Sequence, residues 1–587
     1  MKNFSGRGAP GGLTWGALEL TMRPWIRTLL PCTALVLCAG NPGSASGYST
    51  DPAASLPALL EDAAVTAHQI TLAGPPIAYT ATAGHLTAAS PANQAPEAAL
   101  FYVAYTVAGA DPATRPLTFC YNGGPGSSSV WLHLGSFGPK RLVTGDPSTS
   151  GPVPFPLVDN PDSLLDSTDL VFVDAVGTGL SEAIAPNTNQ TFWGVDQDAA
   201  VFRDFIQRYL TVNQRQASPL YLFGESYGTP RSAVLANLLG AAGIRPAGVI
   251  LQSSILNYNT NGAAGPDISC AGFLPSYAAL GAYFGLDAPA PGDFGGFIQQ
   301  MRVFTAATYG PAVNAWLKDP APPAPATVAR LQATTGIGAA LWNHEFNFLP
   351  RDFQKDLMRG TLIGRYDGRV AVPASSPLAS AGDPSSSFIV PSFGTAIASY
   401  LTDFLGYGHG TEYALSGQAE DTWDFSHDGQ ALPDTIPDLM SALLRDPALK
   451  VLSLNGYHDL ATPFYQTELD LARMGAQPTL QIKHYNGGHM VYLDDTSRPL
   501  EKADLAAFYQ AAPGWAGSPD HAMIAGPTQR WLVTAAPGMG VGGPFTPAKA
   551  LLDPYVPPAQ RHPSLAPPAS GAALKDQAAR KLANQPG

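Results

Sequence analysis

The chain has 587 residues, 45% of them hydrophobic and only 13% charged, against roughly a quarter charged in an average soluble domain. The formal net charge of −13 comes without a compensating basic block, which speaks against a nucleic acid or an anionic membrane as partner. Glycine and proline make up roughly a fifth of the chain; that is loop-rich but short of low complexity throughout.

Behind Met1 the sequence is polar and glycine-rich, whereas "MRPWIRTLLPCTALVLCAGNPGSASG" from Met22 reads as a secretory leader. Arg23 and Arg27 form its positive start, and Leu29 to Ala39 form an apolar stretch too short for a membrane span of about 20 residues. The expectation is translation from Met22, cleavage near Ser46, and an exported protein, periplasmic or extracellular, with no stable membrane span. Cys38 invites a lipid anchor, but bulky Leu37 precedes it where a small residue is usual. Cys32 and Cys38 would leave with the leader; Cys120 and Cys270 stay, open either to a bridge or to two separate buried thiols.

Apolar, β-branched or aromatic runs then alternate with helix-like segments, the pattern of an α/β sheet. Strands are predicted at Ala99–Val107, Leu117–Asn122, Leu170–Asp174, Leu220–Phe223, Gly248–Gln252, Leu449–Leu454 and Leu480–His484. Their nearly continuous hydrophobicity fits a mostly parallel sheet covered on both faces. Helices are expected from Asp196 to Val212, where Val201, Phe202, Phe205, Ile206 and Leu210 share a face, after Arg231, and from Pro499. The rhythm breaks between about Asn257 and Ala448, which predicts an insertion over the strand ends, with a helix at Ala326–Thr334 and breaks at Asp319–Pro325 and Ser375–Ser387. The expected organisation is a leader over 1–46, a core over 47–256, an inserted, mainly helical cap over 257–448, the rest of the core over 449–512, and a Pro/Ala-rich tail over 513–587.

"YLFGESYGTPR", Tyr221 to Arg231, is a strand, Gly-x-Ser-x-Gly, and a helix, the context of a nucleophile elbow that presents Ser226 at the top of a sheet. A serine hydroxyl needs a positioned base, and the chain order for this arrangement is serine, acid, histidine. Asp459 in "GYHDLATPF" and His489 in "NGGHM" each lie in a loop just past a strand. Asp459 would orient the imidazole, and His489 would act as base and then acid. His458 and His484 are the competing histidines. Oxyanion donors are expected from the N–H of Tyr227 and from the loop Asn122–Gly126, after an earlier strand. That loop lacks the Gly-Lys-Ser/Thr of a phosphate loop and the G-x-G-x-x-G spacing of a dinucleotide site. Without H-E-x-x-H or a Cys/His cluster, no metal and no cofactor is expected.

Four blocks, "YNGGPGSSS" with "FGP", "NPDSLLDSTDLVFVDAVGTGLS", "GESYGTPR", and "GYHDLATPF" with "GGHM", resemble the serine carboxypeptidase family of α/β-hydrolase peptidases. The resemblance covers roughly Ala99–Ser254 and Val451–Asp495. It implies an α/β-hydrolase fold, a triad of Ser226, Asp459 and His489, and oxyanion donors at Gly124 and Tyr227. It also implies that Asn122, Gly123 and Glu225 bind the free C-terminal carboxylate of a peptide or protein substrate, with Met490 lining the leaving-group pocket. Glu225 must be protonated to donate to that carboxylate, so activity is expected to favour acidic pH, while His489 must be neutral. Three positions depart from the pattern: Ser136 stands where many members carry a second glutamate, Ser127 where cysteine is frequent, and Leu164 where tryptophan is frequent. An esterase or acyltransferase using the same triad, and a non-catalytic binding protein, are the alternatives.

Overall fold

The structure, a computed structural model, describes residues 47–512 apart from 59–60, 145–154, 266, 287–290 and 409. The leader with its expected cleavage site and the Pro/Ala-rich tail lie outside the described residues. Nine strands form the main path of a ten-stranded sheet. They are β1 (Ala63–Ile70), β2 (Ile77–Ala89), β3 (Pro96–Val107), β4 (Leu117–Tyr121), β5 (Asp169–Val173), β6 (Leu220–Glu225), β7 (Pro246–Gln252), β8 (Lys450–Gly456) and β9 (Leu480–Tyr485). Their order is β1-β2-β3-β5-β4-β6-β7-β8-β9, with the short strand Glu182–Ala183 pairing with β3. The six strands from β5 to β9 in that order pair in parallel, while β1, β2 and β3 join antiparallel. This is the α/β-hydrolase arrangement, and all seven predicted strands belong to it.

The alternation of side chains along each strand builds two cores. Leu117, Phe119, Leu220 and Leu222 point to one face, under the helices Val195–Val212, Gly228–Ala241 and Ile436–Arg445. Cys120, Tyr221 and Phe223 point to the other, under Val130–Gly135, Pro384–Ser399 and Arg498–Gln510. Burial on both faces is why β4, β5, β6 and β8 contain no exposed residue. The predicted helical face Val201, Phe202, Phe205, Ile206 and Leu210 is buried as one stripe.

Between β7 and β8 the chain leaves the sheet, and a separate apolar cluster forms around Phe273, Tyr277, Trp342, Phe346 and Phe353. Leu460, beside Asp459, completes that cluster, so the insertion's core reaches the acid loop. The helix Pro325–Thr335 contains the predicted segment. The serine-rich stretch is only partly a break: Asp383 caps Ser385, and a helix runs Pro384–Ser399. Ile436–Arg445, inside the expected insertion, packs in the sheet's own helical layer. Cys120 and Cys270 are separate buried thiols. No helix among the described residues is long and apolar enough to cross a membrane.

Candidate active site

β6 ends at Glu225, and Ser226 takes a left-handed conformation (φ 58°) before the helix Gly228–Ala241 begins. The turn is tight enough that a Cβ on Gly224 would lie 2.1 Å from the Gly228 carbonyl oxygen; this explains the glycine spacing of the motif. The Ser226 N–H donates to the Gln252 carbonyl (3.0 Å), and the Ser226 carbonyl accepts from the Thr229 hydroxyl (2.7 Å). The elbow is thus held on both sides.

The loop after β4 lies directly on this elbow. A Cβ on Gly123 would sit 2.4 Å from the Tyr227 nitrogen, a distance only glycine permits, so the backbones of the two expected oxyanion segments touch. Gly124 follows with φ 103°. The side chain of Asn122 is fixed at both ends: its amide donates to Glu225 (2.9 Å) and its carbonyl accepts from the Leu132 N–H (2.9 Å). Its main-chain carbonyl accepts from Arg231 (2.6 Å), a wholly buried guanidinium that also pairs with Asp198 (2.6 Å). The rings of Phe202, Tyr121 and Tyr227 surround this cation at 4.5–5.5 Å.

His489 Nδ1 meets Asp459 at 2.7 Å. The same carboxylate accepts from the N–H groups of Ala461 (2.7 Å) and Thr462 (3.0 Å) and from the Thr462 hydroxyl (2.7 Å), so its lone pairs are filled by a turn of its own loop. Burial opposes a charge on His489, but the adjacent Asp459 carboxylate outweighs it and holds the imidazole above its ordinary range. The rival histidines are placed otherwise. His484 lies 2.7 Å from Glu468, and burial pushes His458 down to about 4, leaving it neutral.

Glu225 is 2% exposed, and burial pushes its carboxyl up to about 7, against the pull of His489, Tyr492 and Asn122. Met490 is half-buried against the cluster on its side of the sheet. Ser136 is spent locally: its hydroxyl bonds Leu132 (2.5 Å) and its carbonyl accepts from Asn160 (2.7 Å). Leu164 is fully buried in the core, and Ser127 accepts from the Trp131 indole (2.8 Å).

Three further contributors were not foreseen from the sequence. Ser253, in a left-handed conformation (φ 49°) just past β7, follows Gln252, which anchors Ser226. Its carbonyl accepts from Thr462 (2.9 Å), and its hydroxyl donates to the His489 carbonyl (2.5 Å). One residue therefore joins the Asp459 and His489 loops beside β6. From the insertion, the Tyr366 carbonyl accepts from the His489 N–H (2.6 Å), with its ring 4.9 Å from the imidazole. The Arg365 carbonyl accepts from the N–H of Leu460 (3.0 Å). Only the strand-end position of Ser253 could have been noticed beforehand; a contact made by a remote insertion has no local pattern.

The family model "Serine carboxypeptidase" matches residues 73–239. A pheromone-processing carboxypeptidase KEX1 of Cryptococcus gattii serotype B is 37% identical over 111 residues, 19% of this chain and 15% of the relative. Serine carboxypeptidase-like 33 of Arabidopsis thaliana is 30% identical over 153 residues, 25% of this chain and 30% of the relative. The chain thus spans less than a third of the length of either relative. Among solved structures, a proline iminopeptidase of Mycobacterium smegmatis is similar at 13% identity and TM-score 0.29, covering 76% of this chain and 97% of that one. A bromoperoxidase of Bacillus anthracis gives 14% identity and TM-score 0.33, covering 72% and 99%. The likeness to the serine carboxypeptidase family is therefore carried by residues 73–239, which hold the glycine loop and the nucleophile elbow.

Proposed function

We propose that this protein is an exported serine-type carboxypeptidase that removes C-terminal residues through an acyl-enzyme. The observation that carries the reading is the Asn122–Glu225 pair, a buried amide bonded to a buried carboxyl next to Ser226. One amide proton of Asn122 is donated to Glu225, and in this reading the second meets the ligand. A protonated Glu225 supplies another donor. Two donors converging beside a nucleophile suit a substrate carboxylate, which an ester or internal peptide bond lacks at that place. This favours the peptidase over an esterase or acyltransferase on the same triad. Export rests on the leader sequence alone.

In this reading Ser226 Oγ attacks the last peptide carbonyl as its proton passes to His489 Nε2, and Asp459 holds the resulting imidazolium. The N–H groups of Gly124 and Tyr227 receive the oxyanion. His489 returns the proton to the leaving nitrogen, the C–N bond breaks, and the C-terminal amino acid departs. Water then attacks the acyl-enzyme, giving its proton to His489, and collapse restores the Ser226 hydroxyl. Binding through Glu225 weakens as pH rises through about 7, while loss of neutral His489 limits turnover on the acid side. A fluorophosphonate, which reacts with activated serines, tests the centre: it is expected to label the wild-type protein and not Ser226→Ala. Equal labelling of both would remove the nucleophile from Ser226, and absence of labelling in both would favour a non-catalytic binding protein.

A further inference from the structure

The insertion sends one β-hairpin to the catalytic loops. Its strands, Thr361–Ile363 and Ala371–Pro373, pair antiparallel, and its tip, residues 364–370, is closed by the Gly364 N–H donating to the Val370 carbonyl (2.8 Å). The tip brackets Asp459: the Gly368 N–H donates to the His458 carbonyl (3.0 Å), and the Leu460 N–H donates to the Arg365 carbonyl (3.0 Å). It brackets the turn before His489 in the same way. Arg369 Nη1 donates to the Asn486 carbonyl (3.0 Å), and the His489 N–H donates to the Tyr366 carbonyl (2.6 Å). Between these two bonds lie Gly487 and Gly488. A Cβ on Gly488 would fall 2.6 Å from the Asp367 Cβ, so the tip rests directly on the second glycine of "NGGHM".

Arg369 ties the tip to the loops. It is buried, and its Nε and Nη2 grip the Asp367 carboxylate as a fork (3.0 and 2.7 Å). Besides Asn486, its Nη1 reaches Asp494 (2.8 Å), five residues past His489. The other oxygen of Asp494 accepts from the N–H groups of Thr496 (3.0 Å) and Ser497 (2.9 Å), which anchors the cluster at the start of Arg498–Gln510. A planar guanidinium with several fixed donors suits three such partners at once, where an ammonium is a point charge. His458, on the Asp459 loop, faces Arg369, Asp367 and Asp494. His489 itself is faced by Asp459, Glu225 and Arg365, and by the Tyr366 ring at 4.9 Å. A buried ion cluster adds little net stability over apolar packing, so its position astride both loops calls for another reason.

We infer that Arg369 is a positioning residue for the Asp459–His489 pair: it holds the hairpin tip against both loops and so sets the 2.7 Å contact between carboxylate and imidazole. The two loops leave the sheet from different strands, β8 ending at Gly456 and β9 at Tyr485. Ser253 joins them from the sheet; the tip joins them from the insertion, with a bond on either side of each reacting residue or its turn. A misplacement of about 1 Å at such a contact costs up to about 100-fold in rate. Arg369 touches neither substrate nor the reacting atoms. The inference rests on the reading of Ser226, Asp459 and His489 as one catalytic unit and is independent of the substrate.

The test is the pH dependence of the fluorophosphonate labelling rate, measured on wild-type protein, Arg369→Lys, and the double variant Arg369→Gln with Asp494→Asn. Both variants leave the net charge of the cluster unchanged, so a moved midpoint reports geometry and not a lost charge. Asparagine also keeps an oxygen for the Thr496 and Ser497 N–H groups. Labelling needs a neutral His489, so its rate falls on the acid side as the imidazole takes a proton. The Asp459 contact favours that proton, and loosening it withdraws the support. In both variants the midpoint is expected to move to lower pH, by about one unit, and the plateau rate to fall about 10- to 100-fold, while labelling still runs to completion. Slower labelling with an unmoved midpoint would overturn the inference and leave Arg369 a role in the fold alone; so would wild-type behaviour of both variants. Arg369→Lys carries the test if the double variant fails to fold. The underlying reading fails separately, by labelling of Ser226→Ala at the wild-type rate.

Discussion

Replacing Arg231 by methionine separates what holds the fold from what holds the site. The guanidinium is wholly buried and bonded to Asp198 at 2.6 and 3.2 Å and to the Asn122 carbonyl at 2.6 Å. Methionine fills the space among Phe202, Tyr121 and Tyr227 but leaves Asp198, itself 2% exposed, without its partner. Breaking a buried pair on one side costs about 3–5 kcal/mol, most of it the unpaired charge. Adding Asp198→Leu removes that charge, and replacing a whole buried pair by well-packed apolar groups is often neutral or stabilising by about 1–4 kcal/mol. The double variant is therefore expected to recover most of the stability in urea denaturation. It does not recover the donor to Asn122, so the glycine loop loses its tether, and kcat/KM on a free-acid peptide is expected to stay about 10- to 100-fold down. A double variant with wild-type kcat/KM would refute the tethering argument. A single variant losing less than about 1 kcal/mol would refute the burial argument.

Ser253→Ala removes the hydroxyl that bonds the His489 carbonyl, and Ser253→Gly removes it while also relaxing the left-handed backbone. Both are expected to lower kcat about tenfold with KM unchanged, and a normal kcat in the glycine variant would assign the effect to backbone conformation instead. His427 lies between Asp196 and Asp438, each 2.8 Å from a ring nitrogen. Burial disfavours its charge, but the two carboxylates outweigh burial and push it up to about 10. A raised histidine contributes stability that is full below its unfolded value of about 6.5 and is lost as pH rises from there to about 10. The stability difference between wild type and His427→Gln should therefore shrink by a few kcal/mol, on the order of magnitude, across that window; a constant difference would contradict the ion pair. Glu225→Gln keeps a donor that cannot ionise, so its KM for a free-acid peptide is expected to lose the rise above about pH 7, and a retained rise would place the titrating group elsewhere.

The sheet was legible because strands buried on both faces carry unbroken apolar runs, as in "LTFCY" and "DLVFV". The antiparallel edge was not: β1 reads "AAVTAHQI", with only its last residue buried, and β2 "IAYTATAGHLTAA" is dominated by alanine and threonine. Such strands bury little per residue and are fixed by their ladder, not by hydrophobicity. In the site, Ser226, Asp459 and His489 were legible because each follows a strand end, and the Asp459–His489 contact lies where that reading expects it. Ser253 and Tyr366 were not, because each acts through a partner more than 100 residues distant in sequence. Helix Ile436–Arg445 was lost in the irregular insertion because its core role depends on contact with Gly228–Ala241, as in the Arg445–Asn237 bond of 2.8 Å.

The central claim is that a buried Asn122–Glu225 pair recognises a free C-terminal carboxylate beside a reactive serine. The most direct measurement compares kcat/KM, below pH 7, for one N-blocked peptide as its C-terminal acid and as its C-terminal amide. Loss of two hydrogen bonds to a charged group, each worth about 1.5–3 kcal/mol, predicts that the acid is favoured by at least about 100-fold, and that Glu225→Ala with Asn122→Ala abolishes the preference. Equal rates for acid and amide would contradict the account.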